Sequence, residues 1–554
     1  MIFKKGTVLK KSILLFAIIS LFCFINNTYT QTSDWLWAKN AGGIDTDLSV
    51  SVAVDASGNV YVAGFFQSPV ITFGSYTLMN EGLGDMFLAK YDAGGNVLWA
   101  KSVGGIDNDY AHSVAVDASG NAYVTGNFYS SNITFGSYTL TNAASCDMFL
   151  AKYDANGDVL WAKSAGGTDC DYAHSVVTDV SGNAYVTGSF ESPTITFDSY
   201  TLTNAGSSDM FLAKYDADGN ILWAKRVGGT GSDYMLSIAV DASENAYVTG
   251  YFYSPAITFG SHTLTNTGYF DIFLAKYDAG GNVLWAKSAE GTGFDYAYSV
   301  AVDASGNAYV TGHFNGTTIT FGSYTLTNEG FFDIFLAKYD AGGNVLWAKS
   351  GEGLNYDYAY FVALDASGNA YVTGTFESPV LTFDSFPLTN VGNVDIFLAK
   401  YDSGGNVRWA KSVGGAGDDY AYSIAVDASG NVEVTGFFDS PNIIFGSTTL
   451  TNTVTNGSDT FLAKLSTITG INDANHSLNI SMFPNPAIDK ITIDISVESD
   501  KSNLTIINTQ GHEFLQQEIT GSTTTIDISG LKSGVYFVKL LNDRTMKVKK
   551  FVKR

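Results

Sequence analysis

One tryptophan recurs every 62 residues through most of this 554-residue chain, at Trp37, Trp99, Trp161, Trp223, Trp285, Trp347 and Trp409. Asp55, Asp117, Asp179, Asp241, Asp303, Asp365 and Asp427 keep the same interval, and each opens an Asp-x-Ser-x-Asn turn or a close variant. A fixed period of this length means that one supersecondary unit has been copied. The second copy shows two hairpins with glycine-bearing turns, Val114 to Asp117 with Ala122 to Phe128, and Asp147 to Asp154 with Val159 to Ser164. Naming these strands a, b, c and d gives one four-stranded sheet per copy. Such a sheet is apolar on both faces and must stack on its neighbours. Abundant glycine (58 residues) and few charges (15%) suit short strands and tight turns, so the fold class is all-β.

The phase of the repeat at its ends separates an open stack from a ring. The first copy begins with a bare strand d, Trp35 to Lys39, and the last ends on a bare strand c, Thr460 to Leu465. Pairing the two completes a seventh sheet, whereas an open solenoid would need dedicated caps. The prediction is a seven-bladed β-propeller closed by the N- and C-terminal strands of the repeat region, followed by a small C-terminal β-sandwich. The segment VAVDASGNAYVTG, beginning at Val114, resembles the SBBP family of β-propeller repeats, and the likeness recurs through residues 35 to 465. That resemblance implies the fold and names no activity, because propellers host many functions.

The flanks read differently. Lys4, Lys5, Lys10 and Lys11 precede an apolar run from Ile13 to Ile25, the layout of a secretory signal peptide over residues 1–30 with cleavage near Thr30. Cys23 does not suit lipoprotein processing, because bulky Phe22 precedes it. The repeats occupy 34–465, a polar linker 466–479, and a final module 480–554 whose alternating strands include Ile491 to Ile495 and Asn503 to Ile507. Through Phe483 to Pro486, Leu531, Gly534, Tyr536 and the closing Lys550 to Lys553, this module resembles the type A C-terminal sorting domain of type IX secretion. The resemblance implies partners in the secretion machinery and delivery to the cell surface or beyond. No transmembrane helix is expected in the mature chain.

Between Asp34 and Leu465 stand 45 acidic and 16 basic residues, a net of 16 − 45 = −29. Nucleic acid is excluded as a partner on that balance, while cations, neutral glycans and proteins are not. Fourteen of the 16 basic residues fall in the LAK of strand c or the WAK of strand d, where edge protection and pairing with nearby aspartates are expected.

The copies differ mainly just before strand a and just before strand c. The residue ahead of each strand c and the residue 24 positions later vary together: Gly84 with Asn108, Cys146 with Cys170, Ser208 with Ser232, Phe270 with Phe294, Phe332 with Tyr356, and Val394 with Asp418. Side-by-side contact explains this. A Cys146–Cys170 disulfide follows, since no other cysteine remains once the signal peptide is removed.

Asp47, Asp109, Asp171, Asp233, Asp295, Asp357 and Asp419 open strand a in every copy. They read either as turn caps or as a carboxylate ring able to hold a cation such as Ca²⁺. No metal, cofactor or catalytic residue is assigned, because no HExxH, G-x-S-x-G or phosphate loop occurs. Two neighbouring loops gather Tyr269, Phe270, Phe294, Phe331, Phe332 and Tyr356 with Glu290 and Glu352, a set suited to a lid over the strand ends or to a ligand patch. His112 and His174 share a position that elsewhere holds valine, leucine or tyrosine, which marks it as packing. The functional expectation is a secreted or surface, monomeric, non-catalytic propeller that binds an extracellular glycan or protein. The alternative is a carbohydrate-active hydrolase or lyase using Glu290 and Glu352.

Overall fold

The computed structural model describes residues 35–454, 457–466, 480–495, 502–508, 513–519, 523–541 and 546–554. The signal-peptide expectation and all but the first residue of the expected linker lie outside the described residues. The chain divides into two compact units, residues 1–468 and 469–554.

Each copy of the repeat builds a four-stranded antiparallel sheet in the order a-b-c-d. In the second these are Asp109–Val116, Ala122–Phe128, Asp147–Tyr153 and Val159–Ala165. The last sheet takes strands a to c from Asp419–Val426, Val432–Phe438 and Asp459–Leu465. Its fourth strand is Trp35–Ala41, antiparallel to Asp459–Leu465 with Ala38 opposite Ala463. No helix occurs among the described residues, and repeated sheets of this kind are typical of a propeller.

Local chemistry explains the turns. Asp117 Oδ1 accepts the Ser119 and Asn121 amides at 2.9 Å, and Asn121 Nδ2 donates to Asp117 Oδ2 at 2.8 Å. Gly120 between them sits at φ +78°, which other residues adopt only at a cost. The segment joining strands b and c, expected as a plain connection, folds as a further hairpin, Asn132–Phe135 with Tyr138–Thr141. Its inward side chains Ile133, Phe135 and Leu140 are buried.

Neighbouring sheets meet through apolar faces. Tyr61, Met86, Leu88 and Trp99 of one copy share a core with Val114, Val124, Phe128, Phe135 and Phe149 of the next. Full burial of each large apolar side chain is worth about 1.5–3 kcal/mol. Polar ties fix the stacking. Trp99 Nε1 donates to Ala155 O at 3.1 Å, Tyr61 OH to Gly120 O at 2.8 Å, and Val114 N to Ser51 Oγ at 3.1 Å. The last tie lies beside a bulge between Ala111 and Ser113, where a strand leaves its own ladder.

The lysines divide by strand. Those of strand c are buried and do not guard an edge: Lys90 lies 4.7 Å over the Tyr61 ring, 4.0 Å from Asp55, and donates to Ala155 O at 3.0 Å. They stitch one copy to the next. Strand-d lysines such as Lys39 and Lys101 remain at least partly exposed.

The second unit holds two sheets. One comprises Ile480–Phe483, Lys490–Ile495 and Thr523–Asp527; the other comprises Ser502–Asn508, Glu513–Ile519, Gly534–Leu541 and Met546–Lys553. Ile491, Ile493, Leu504, Ile506, Ile526, Val538 and Phe551 form its core.

Replacing Tyr123 with phenylalanine keeps the ring under Lys152 but deletes the 2.6 Å bond from its buried hydroxyl to Gly182 O. The expected cost is about 1–2 kcal/mol, read as a lower urea midpoint. An unchanged midpoint would show that the tie contributes nothing.

Candidate functional site

The residues preceding strands c and a lie side by side. Isolated bridges join Gly84 to Asn108, Cys146 to Cys170, Ser208 to Ser232, Phe270 to Phe294, Phe332 to Tyr356, and Val394 to Asp418. In the second of these the cysteines are joined as a disulfide, with Cα atoms 4.5 Å apart. Closing the 24-residue separation stabilises by about 3 kcal/mol in the chain-entropy model.

Behind the bridges sit two aspartates per copy, one opening strand c and one opening strand a. Asp47, Asp109, Asp171, Asp233, Asp295, Asp357 and Asp419 are fully buried. Six of them accept a serine hydroxyl at 2.6–2.8 Å: Ser68, Ser130, Ser192, Ser254, Ser378 and Ser440 in turn, with Asp295 the exception. Backbone amides add to these, as Gly105 N does to Asp109 Oδ2 at 2.8 Å. The side chains thus tie the strand-b exit to the strand-a entry. Among the described residues no cluster of three or more acidic, histidine or cysteine groups is arranged to hold a metal ion.

Asp295 is the exception because Gly316 stands where its sisters have serine, and neither of its carboxylate oxygens has a hydrogen-bond partner. Burial raises Asp295 to about 7, with the neighbouring Asp271 carboxylate adding to it. Asp171 is likewise pushed to about 7, and Asp47, Asp357 and Asp419 to about 6, burial being the main cause in each.

The aromatic loops resolve into two layers. Tyr269 stacks on Phe294 at 4.7 Å and 10° between planes, and Phe331 on Tyr356 at 5.0 Å and 9°. Tyr269 and Phe331 are each 58% exposed and Tyr356 36%. Phe270 and Phe332 are half-buried and turn inward. Phe270 meets Tyr251, Tyr253 and Tyr296, while Phe332 meets His313, Tyr356 and Tyr358. The inner residues Tyr251, Tyr296, His313 and Tyr358, and the exposed Tyr253, were not legible as site residues. For Tyr296 and Tyr358 the signal is tyrosine at the second position of strand a in six copies, Tyr110, Tyr172, Tyr234, Tyr296, Tyr358 and Tyr420; Tyr251, Tyr253 and His313, on or just after strand b, carry no such repeat signal.

Glu290 and Glu352 are exposed, and their backbones pair with Thr320 and Thr382 on two different b–c hairpins. His112 meets Asn127 Oδ1 at 2.6 Å and His174 meets Ser189 Oγ at 3.0 Å. Burial holds His174 down to about 3, neutral at physiological pH.

Against known proteins, the family model of the secretion system C-terminal sorting domain matches residues 481–554, and that of the β-propeller repeat SBBP matches residues 98–133. The chain carries an SBBP β-propeller repeat and a type IX sorting domain. An uncharacterised WD repeat-containing protein of Acanthamoeba polyphaga mimivirus is 27% identical over 507 residues, covering 74% of this chain and 36% of that protein. The regulatory protein FlaEY of Caulobacter vibrioides is 26% identical over 378 residues, covering 63% of this chain and 38% of that protein. The chain therefore spans little more than a third of either relative. Among solved structures, PorZ, a surface component of the type IX secretion system of Porphyromonas gingivalis, aligns over 93% of this chain and all of its own at 11% identity and a TM-score of 0.21. The sorting domain supports export to the cell surface or the extracellular space. No helix among the described residues is long and apolar enough to cross a membrane.

Carboxylates raised above their unfolded value of 3.8 stabilise the fold fully below that pH, and the contribution is lost as pH rises through 6 to 7. The melting temperature is therefore expected to fall between about pH 5 and pH 8. Gly316→Ser, supplying the missing hydroxyl to Asp295, is expected to add about 1 kcal/mol and flatten that slope. A variant no more stable than the parent would contradict the assignment.

Proposed function

We propose that residues 34–465 form a closed seven-bladed propeller that acts as a non-catalytic binding or scaffold protein outside the cell. In this reading residues 1–30 are removed as a signal peptide, 466–479 are a linker, and 480–554 direct the monomeric body through the secretion machinery. The pairing of Trp35–Ala41 with Asp459–Leu465 supports closure. So do the bonds from Val52 N to Ser423 Oγ at 3.1 Å and from Trp37 Nε1 to Ala93 O at 3.2 Å, which repeat the ties between consecutive copies.

The observation carrying the binding role is the two parallel ring pairs, Tyr269 with half-buried Phe294 and Phe331 with Tyr356, whose outer rings Tyr269 and Phe331 are exposed at equivalent places in adjacent copies. Flat aromatic faces stack on the apolar faces of sugar rings or anchor a protein surface. Phe270 and Phe332 brace them from below. Catalysis needs unlike groups converging on one atom, and the attachment of Glu290 and Glu352 to separate hairpins favours binding over hydrolysis.

Serine at both Tyr269 and Phe331 is expected to weaken retention on a glycan array or on an array of extracellular proteins at least tenfold, with melting nearly unchanged because both rings are mostly exposed. Equal retention would remove the platform role. Deleting residues 480–554 is expected to abolish surface delivery, and undiminished delivery would overturn the sorting role.

A further inference from the structure

The second residue of strand b is tyrosine in six copies, Tyr61, Tyr123, Tyr185, Tyr247, Tyr309 and Tyr371, and Glu433 in the last. Each tyrosine lies under the strand-c lysine of its own copy at 4.6–4.8 Å. The hydroxyls of Tyr61, Tyr123, Tyr247 and Tyr309 donate to a glycine carbonyl of the following copy at 2.6–2.9 Å. Lys90, Lys152 and Lys338 also reach across, to carbonyls at 3.0–3.1 Å.

At Glu433 this arrangement changes. The side chain is fully buried. Lys464 Nζ stands 2.8 Å from Glu433 Oε1 and 2.8 Å from Asp427 Oδ2, against 3.4–4.0 Å between lysine and the equivalent aspartate elsewhere. Despite that closeness, neither Glu433 oxygen takes part in a well-angled hydrogen bond. One ammonium therefore serves two carboxylates, and when both are ionised a net negative charge is enclosed. An ionised carboxylate only accepts hydrogen bonds, so it offers no donor where the other copies present a phenol to the next copy's carbonyl; a protonated one carries an O–H donor. The junction affected is the one between the last copy and the first. Its apolar half is ordinary: Ala41 and Leu462 pack with Val52, Val62, Phe66 and Phe87.

We propose that Glu433 makes this junction a proton-sensitive clasp, tight when the carboxyl is protonated and loosened when it ionises. The clasp rests on the closed-ring reading above. Burial lifts Glu433 from 4.5 to about 7, with Asp427 adding to the rise and Lys464 opposing it. The charged groups facing it are Lys464 from strand c and Asp427 from its own a–b turn. Across the junction lie the turns opened by Asp55 and Asp92, whose counterparts Asp117 and Asp154 act on Tyr61. Asp47 and Asp459 belong to the opposite strand ends, where every copy has their equivalents. Because the closed-state value is raised, the stabilisation is complete below 4.5 and is lost as pH rises through 7.

Amide hydrogen exchange on the full chain, corrected for intrinsic rate, tests this at about pH 5.5 and about pH 8. Opening of Trp35–Ala41 is expected to increase on the order of tenfold at the higher pH, relative to Val97–Val103, the fourth strand of the sheet that begins with Asp47–Val54. Glu433→Gln and Glu433→Tyr, the latter restoring the residue of the other copies, are expected to remove the difference. A pH-independent wild type, or a Glu433→Gln variant as sensitive as wild type, overturns the clasp. Trp35–Ala41 unprotected at both pH values in every variant overturns the closed ring itself, and the clasp with it.

Discussion

A four-stranded sheet that is apolar on both faces has no stable existence alone, and the contact between consecutive sheets is what the rest of this structure depends on. The large side chains of one copy, Tyr61 and Trp99 among them, fill the space beside Val114, Val124 and Phe149 of the next. Dispersion and burial would allow the sheets to slide, because neither is directional. Direction comes from Trp99 Nε1, Tyr61 OH and Ser51 Oγ, three polar ties that accept one stacking register. Their residues recur at 62-residue spacing in most copies, with Phe361 in place of the serine and Glu433 in place of the tyrosine as departures.

This dependence explains how much could be read from the residues alone. Strand order, turns and the disulfide were legible, since Asp-x-Ser-x-Asn turns and alternating strands are local chemistry and the copies can be compared within one chain. The pairing of positions such as Phe270 with Phe294 was legible for the same reason: two residues that touch vary together. The role of Lys90 was not. A lysine in a strand reads as an edge guard, and only the neighbouring copy's Ala155 carbonyl and the Tyr61 ring turn it into a buried stitch. The hairpin Asn132–Phe135 with Tyr138–Thr141 escaped because four-residue strands barely establish a period. In the aromatic patch, sequence position placed Phe270 and Tyr269 together without revealing that one braces and the other faces solvent.

Near-perfect repetition supplies like groups in every copy, so individuality rests on departures from it. Gly316 leaves Asp295 without its serine, paired aromatics appear in two adjacent loops, and Glu433 replaces a tyrosine at the junction of the ends. The paired aromatics alter the exposed surface. The other two departures place an under-partnered carboxylate in a buried site, where its protonation bears on stability.

If the ends of the repeat region meet as proposed, cysteines introduced at Ala38 and Ala463, directly opposite in the register, lie within bonding reach. Mild oxidation of the double variant, followed by proteolysis and mass spectrometry, is expected to yield one cross-linked peptide joining the two positions within a single chain. Free thiols at both positions, or a cross-link found only between separate chains, would contradict the closed ring.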